Sequence, residues 1–239
     1  MKGYHQKIRT ASDYLLSLIN DVLDMSKLES EEMILNNESV DIHQVISDCV
    51  DILEIRAAEN GITMVGENLE RFYPPRVYSS FLHLRQAFMN VIGNAIKYNK
   101  PNGQIRISAQ VMEQDTDNVT CRFEVSDTGI GMSEEFQKRM FEQFTQEHED
   151  ARTEYKGTGL GLAIVKRIIE KMGGNIQIKS QKDVGTEVAW TLTFASDKES
   201  NSQSREAAEK EENSVVPKEL NDAHKEEHET KCMKERRFS

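Results

Sequence analysis

The sequence has few cysteines, no long apolar run and no excess of positive charge. Its three cysteines, Cys49, Cys121 and Cys232, are far apart and lack CxxC spacing, so disulfide and cysteine-metal interpretations are weak and a reducing cytoplasm is expected. No apolar stretch approaches the ~18 residues of a membrane span, and no signal-peptide pattern follows Met1. The formal net charge of −11 argues against nucleic acid or an anionic membrane as a partner.

The C-terminal segment, residues 196–239, has a composition typical of disorder. Charged side chains far outnumber apolar ones there, so the segment cannot bury enough apolar surface to offset the entropy of ordering it. We therefore expect a charged tail or linker over residues 196–239 and the folded part of the chain before it.

The first predicted helix carries an apolar seam. Apolar residues recur at alternating spacings of four and three, namely Tyr4, Ile8, Ala11, Leu15, Leu18, Val22 and Met25. This spacing is that of a helix packed in a bundle or coiled coil. A single helix cannot bury such a stripe, so we expect its packing partner to lie outside this chain or in a second copy.

The next region mixes helices and strands. Asp41 is predicted to cap a helix, with Gln44 at the capping-box distance and Gly61 as its stop. Further helices are predicted over 80–98 and 160–172 and from Ser133, and strands over 62–68, 103–112, 118–127 and, as a pair, 175–194. This order predicts an α+β fold, a two-layer sandwich of a mixed, mostly antiparallel sheet covered by helices on one face, plus the N-terminal bundle helix.

The predicted helix over residues 80–98 has one polar face. Asn90, Asn94, Lys97 and Tyr98 fall at i, i+4, i+7 and i+8, which is one side of a helix. This face is either a solvated stripe or a ligand site. As a ligand site it would offer an Asn oxygen, a suitable hard ligand for Mg²⁺, and a lysine able to meet phosphate charge.

Two short stretches follow that helix. "DTGIG", residues 127–131, comes directly after a predicted strand; it is either an Asp-Gly turn or a carboxylate placed to accept a hydrogen bond from an exocyclic amine. "FEQF", with Phe141 and Phe144, by itself suggests core packing.

"GTGLGL", residues 157–162, opens an apolar helix. Glycines before a helix N-terminus expose backbone N–H groups that can hold phosphate. The stretch is not a Walker A loop, because no Gly-Lys-Ser/Thr follows, and it is a poor Rossmann fingerprint, because no strand precedes it. In this helix Leu162, Val165, Ile169 and Met172 are expected to face the core, and the helix to stop at Gly173-Gly174.

Taken in order, these stretches resemble the N, G1, F and G2 boxes of histidine-kinase ATP-binding domains. The matching stretches are "NVIGNAIKYN", "DTGIG", "FEQF" and "GTGLGLAIVKRI", with "GTEVAWTL" similar to the late Gly-Thr strand. Upstream, "LLSLINDVLDMSKLES" looks like the second helix of a dimerisation and phosphotransfer hairpin, most similar to those of hybrid sensor kinases. The resemblance implies domains at residues 1–36 (hairpin helix) and 37–195 (ATP-binding catalytic domain), followed by the tail at 196–239.

The resemblance implies a role for each matched residue. Asn94 would bind the Mg²⁺ that bridges the triphosphate of ATP, with Asn90 beside it. Lys97 would contact phosphate, Tyr98 would lie against the nucleotide, and Asp127 would read the adenine amine.

Glycines and the segment between the F and G2 boxes would complete the nucleotide site. Gly129 and Gly131 would shape the base pocket, and residues 145–156 would form a mobile lid. The other implied ATP-binding residues are Phe144, Gly157, Thr158, Gly159, Leu160, Gly161 and Thr186, with Arg152 and Lys156 as candidate γ-phosphate partners.

A histidine kinase of this kind would transfer the γ-phosphoryl of Mg-ATP to a histidine on the hairpin. Its partners would be that hairpin, from a missing helix or a second protomer, and a downstream response-regulator receiver; the parent kinase could be anchored in a membrane through other segments. "HQKIRT", residues 5–10, is similar to a phosphoacceptor stretch. The seam, however, runs unbroken from His5 to "SKLE" with no room for a turn, so we expect His5 not to be the acceptor, and the acceptor to be absent from this chain.

Two other functions remain open from the sequence. The chain could be a regulatory protein that uses ATP only as a conformational ligand, or a serine kinase of the anti-sigma-factor type. The N-terminal bundle helix argues against the second of these.

Overall fold

The structure is a computed structural model that describes residues 35–147, 158–200 and 202. Of the first 34 residues it describes His5, Ser12, Leu15, Leu16, Ile19, Asn20, Val22, Leu23 and Ser26, all helical and exposed. The contacts within the chain divide it into two units, Met1–Asp197 and Lys198–Ser239. In the second unit, Ser202 Oγ donates a hydrogen bond to Lys198 O at 2.7 Å.

Four helices and seven strands make up the described part of the first unit from residue 35 onward. The helices are α1 (Ile42–Glu59), α2 (Phe81–Lys97), α3 (Glu134–Gln137) and α4 (Gly161–Lys171), with a 3₁₀ turn at Leu69–Arg71. The strands are β1 (Glu38–Val40), β2 (Thr63–Glu67), β3 (Val77–Ser79), β4 (Gln104–Gln114), β5 (Asn118–Asp127), β6 (Asn175–Gln181) and β7 (Gly185–Ser196). None of the helices in the described part of the chain has the length and apolar character of a membrane span.

All seven strands form one mixed sheet, in which six follow the order β1-β3-β7-β5-β4-β2 and β6 pairs with β7 off this path. Only the pairing of β2 with β4 is parallel; the other pairings are antiparallel. Strand β7 pairs with β5 along one edge, while its other edge is shared between β6 and β3. The α+β fold predicted from the sequence is confirmed, with a sheet that is mixed and mostly antiparallel.

One face of the sheet is apolar and packs against the helices. Along β5 the alternate residues Val119, Cys121, Phe123 and Val125 are buried, while those between them are more exposed, the period expected of a half-covered antiparallel strand. Three aromatic rings join the two layers: Phe88 of α2 lies 5.3 Å from Phe123 and 5.0 Å from Trp190 of β7, centroid to centroid, both edge-to-face. This edge-to-face geometry is the favoured arrangement of aromatic pairs.

Helix α1 begins and ends near the residues that the sequence indicated. The Asp41 side chain accepts a hydrogen bond from the backbone N–H of Gln44 at 3.1 Å, and Gly61 follows the helix with a φ of +68°. In a capping box the Gln44 side chain would bond back to the Asp41 backbone N–H. Here it donates instead to Asp48 Oδ1 at 2.7 Å. Asp41 is therefore the N-cap, without the predicted return bond.

Helix α4 presents a different face to the core from the one expected. Val165 and Ile169 are buried as predicted, but Ile164 and Ile168 are the residues buried beside them. Leu162 is only half-buried and Met172 packs at the margin of the core. The run of apolar residues in this helix allows two adjacent stripes, and the buried face combines Ile164 and Ile168 with the middle of the predicted stripe.

Candidate functional site

A cavity of about 320 Å³ opens between α2, the start of α4, the last residues of β5 and the first residues of β7. The structure brings together ten of the residues that the sequence predicted for one site. They are Asn90, Asn94, Lys97, Tyr98, Asp127, Gly131, Thr158, Gly159, Gly161 and Thr186. These residues come from distant parts of the chain, so their convergence is a property of the tertiary fold.

The N-terminus of α4 lies against the asparagines of α2. A Cβ added to Gly161 would lie 3.3 Å from Asn90 Oδ1 and 3.6 Å from Asn94 Nδ2. Asn90 Nδ2 donates to Gln86 O at 3.1 Å, which leaves Oδ1 as the atom turned toward α4. The amide oxygen of Asn90 and the amide group of Asn94 therefore face a helix N-terminus across a short gap, an arrangement suited to an anion bound together with a hard cation.

The carboxyl group of Asp127 forms the polar centre of the opposite end of the cavity. Its Oδ1 accepts a hydrogen bond from the Gly129 backbone N–H at 2.8 Å. Burial raises the pKa of Asp127 to about 6, although backbone hydrogen bonds from Gly129 and Thr186 and the charge of Lys100 act in the opposite direction. Because a carboxylate offers about four acceptor sites, Asp127 can accept a hydrogen bond from a ligand amine in addition to these backbone bonds.

Two glycines let backbone segments meet behind Asp127. A Cβ on Gly129 would lie 2.3 Å from Tyr98 O, and a Cβ on Gly131, whose φ is +60°, would lie 2.0 Å from Gln181 O. Ile130 N donates to Tyr98 O at 3.0 Å. Only glycine fits these close approaches, which hold the end of β5 against α2 and the β6–β7 turn.

Lys97 and Tyr98 form a paired unit at the C-terminal end of α2. Lys97 Nζ donates to Tyr98 Oη at 2.8 Å and lies 4.5 Å from the centroid of its ring. Burial, and secondarily the charge of Arg56, lowers the pKa of Lys97 to about 8. Burial also raises the pKa of Tyr98. The pair places a cation and an aromatic face on the same wall.

Three predicted site residues do not line the cavity. Gly129 supports it from behind, as described above. Leu160 is fully buried in the core. The residue Phe144 is 58% exposed and has a φ of +61°. Its backbone atoms lie against Gly159.

Part of the predicted site lies outside the described residues. Gly157, the candidate phosphate partners Arg152 and Lys156, and positions 148–156 of the predicted lid fall there. Of the predicted lid, Thr145, Gln146 and Glu147 are described and line the cavity.

Several lining residues were not predicted. They are Arg56, Met89, Gly93, Ile130, Met132, Phe136, Met140, Leu162 and Val188, besides the core residues Val91, Ala95 and Val125. Most are apolar and supply the flat walls that ligand cavities use. Gly93 lies on the polar face of α2 with Asn90, Asn94 and Lys97, and its place on this face could have indicated that it lines the site. Arg56 lies on α1, outside every motif, and no sequence signal marked it.

Comparison with known families shows which family this part of the chain matches. Residues 79–196 match the family described as histidine kinase-, DNA gyrase B- and HSP90-like ATPases. The domain formed by residues 79–196 belongs to this ATPase family. The matched residues include helices α2, α3 and α4 and strands β5, β6 and β7. The cavity therefore lies almost entirely in the part of the chain that matches the ATPase family.

Relatives of the ATPase domain are histidine kinases. The peroxide stress-activated histidine kinase mak1 of Schizosaccharomyces pombe is 32% identical over 198 residues, which are 82% of this chain and 12% of that protein. The signal transduction histidine-protein kinase BarA of Escherichia coli (strain K12) is 34% identical over 179 residues, 75% of this chain and 19% of that protein. The chain thus spans a fifth or less of the length of these two relatives.

A solved structure also matches the ATPase domain. Full-length ShkA in complex with AMPPNP superposes with a TM-score of 0.66 and 31% identity, covering 82% of this chain and 39% of that chain. The predicted similarity to the ATP-binding catalytic domain of histidine kinases is confirmed.

Proposed function

We propose that the ATPase domain transfers the γ-phosphoryl group of Mg-ATP to a histidine on a dimerisation hairpin, as the catalytic part of a hybrid-type sensor kinase. A response-regulator receiver would accept the phosphoryl group downstream, and the reaction would take place in the cytoplasm. The observation that carries this proposal is the contact between the start of α4 and Asn90 and Asn94 of α2, which unites the N and G2 boxes in one cavity.

The carboxylate at the end of β5 suits the adenine base. Asp127 accepts backbone hydrogen bonds from Gly129 and Thr186, and because a carboxylate offers about four acceptor sites, it can also accept one from the exocyclic amine. Ile130 and Val188 line the cavity nearby and offer apolar surface to a flat ring. We therefore place the adenine at this end, with Tyr98 along its side.

The asparagine wall of α2 fits a magnesium ion that is shared with a nucleotide. Asn90 and Asn94 supply neutral, hard oxygen ligands one helical turn apart. Within the described residues there is no group of three or more His, Cys, Asp or Glu side chains placed to hold a metal, so phosphates and water would complete the coordination, as is usual for Mg²⁺. Bound Mg²⁺ would neutralise charge on the phosphates.

The N-terminus of α4 suits the phosphate chain. Its N-cap, Leu160, makes no side-chain capping bond within the described part of the chain, so the first backbone N–H groups of α4 remain available to an anion. The Leu160 N–H itself points to Thr158 Oγ1 at 3.3 Å. Lys97 adds a cation from α2, so positioning and charge neutralisation would supply most of the catalysis.

Phosphotransfer to a supplied hairpin tests the proposal. The chain is incubated with Mg-ATP and a histidine-bearing dimerisation hairpin, and acid-labile phosphate on the hairpin is measured. We expect transfer that needs Mg²⁺ and is lost when the hairpin histidine is replaced by Ala or when Asn94→Ala is used. Tight Mg-ATP binding without any transfer would instead support the regulatory alternative.

A further inference from the structure

Arg56 is the one lining residue of the nucleotide cavity, among those described, that comes from α1. It lies outside residues 79–196, the part that matches the ATPase family, and outside the N, G1, F and G2 boxes. Its side chain is exposed, and its backbone carbonyl accepts a hydrogen bond from Asn60 Nδ2 at 2.7 Å. The family motifs therefore do not explain this residue.

The charged side chains that line the described part of the cavity are divided between two sides. Arg56 and Lys97 are on the helices α1 and α2, whereas Asp127 is the last residue of β5 and Glu147 comes after α3 in the chain. Each carboxylate already accepts a backbone hydrogen bond, Asp127 from Gly129 N at 2.8 Å and Glu147 from Ser133 N at 3.0 Å. The two cations therefore form a basic wall that faces the cavity.

The two cations of this wall lie close enough to repel each other. The charge of Arg56 is the second cause, after burial, that lowers the pKa of Lys97. Two like charges near one another are unfavourable in the free protein, and an anion bound beside both relieves the repulsion. A nucleotide supplies such an anion in its phosphate chain.

We propose that Arg56 is a further nucleotide-binding residue, which contacts the phosphate chain together with Lys97 and extends the binding site from the ATPase family region onto α1. This inference rests on the proposed function, because it assumes that the cavity holds a nucleotide. The planar guanidinium has donors that match phosphate oxygens two at a time, so a lysine would replace it only in part. Since Arg56 is exposed, its contribution should be modest, about two- to fivefold in affinity.

Nucleotide titrations of the full chain separate this role from the others. We would measure the dissociation constants of ADP without Mg²⁺, ATP with Mg²⁺ and adenosine, by calorimetry or NMR. The variants are Arg56→Gln, Arg56→Lys and the control Arg71→Gln, which removes the same charge from an exposed position that does not line the cavity.

We expect Arg56→Gln to weaken ADP and Mg-ATP binding about two- to fivefold and to leave adenosine binding unchanged, with Arg56→Lys in between and Arg71→Gln like the parent. Equal ADP affinities for Arg56→Gln, Arg71→Gln and the parent would overturn the inference. An equal loss for both glutamine variants would also overturn it, because net charge alone would then explain the effect. If the parent itself binds no nucleotide, the proposed function fails instead.

Discussion

Replacing Asp127 with Asn should remove a loss of stability that the nucleotide-free ATPase domain suffers as the pH rises, while weakening its binding of ATP. The pKa of Asp127 is raised from 3.8 to about 6, with burial as the main cause. At neutral pH the folded protein therefore holds an ionised carboxylate in surroundings that favour the neutral form. Asn is neutral at every pH and keeps one oxygen for the Gly129 N–H.

The size and the pH range of the effect follow from linkage. Between about pH 4 and pH 6 the folded state keeps a proton on Asp127 that the unfolded state has lost, so the free energy of unfolding falls as the pH rises through this range and stays low above it. A shift of about two units corresponds to at most about 3 kcal/mol. Because the side chain is only half-buried, solvent screening reduces the expected value to about 1–2 kcal/mol.

Urea denaturation at pH 4.5 and pH 7.5 measures this effect. The parent, Asp127→Asn and a control, Asp51→Asn at an exposed position of α1, are compared at both values. We expect Asp127→Asn to gain about 1–2 kcal/mol over the parent on going from pH 4.5 to pH 7.5, and Asp51→Asn to follow the parent.

Nucleotide binding should change in the opposite direction. With its oxygen bonded to Gly129 N, the Asn side chain turns an NH₂ group toward the adenine amine, so two donors meet and ATP binds at least about tenfold more weakly. The reasoning is refuted if Asp127→Asn shows the same pH dependence of stability as the parent, or if it binds Mg-ATP equally well.

Three further predictions concern the fold and the N-terminal helix. Asp197 is buried and accepts hydrogen bonds from Ser39 Oγ and Tyr78 Oη; Asp197→Ala should lower the free energy of unfolding by about 2–3 kcal/mol, and a urea midpoint equal to that of the parent would contradict this. Gly129→Ala places a methyl group against backbone and should cost at least about 1–3 kcal/mol, measured by thermal melting with Gly93→Ala, which meets nothing within 4 Å, as the control. The isolated chain should bind ATP without acquiring phosphate on His5, because its neighbour Gln6 cannot act as a general base; acid-labile phosphate at His5 would disprove this.

Periodic elements were predictable because their cause is local. The alternation along β5 and the polar face of α2 each follow from side-chain geometry within a few residues. The strands Glu38–Val40 and Val77–Ser79 were missed, because strands of three residues are defined by their partners, here each other and β7. The face of α4 was predicted only in part for a similar reason, since two apolar stripes compete within the helix.

The sequence by itself determined which kinds of residue serve the site: an Asp at a strand end, polar residues on one helix face, and glycines before a helix. Only the tertiary structure decided which of them meet in one cavity. It placed Gly131 on the cavity wall but Gly129 behind it, turned Leu160 into the core, and brought Arg56 of α1 beside Lys97. The physical reason is that periodicity fixes the direction of a side chain relative to its own helix or strand, whereas the surface it meets depends on the packing of segments far apart in the chain.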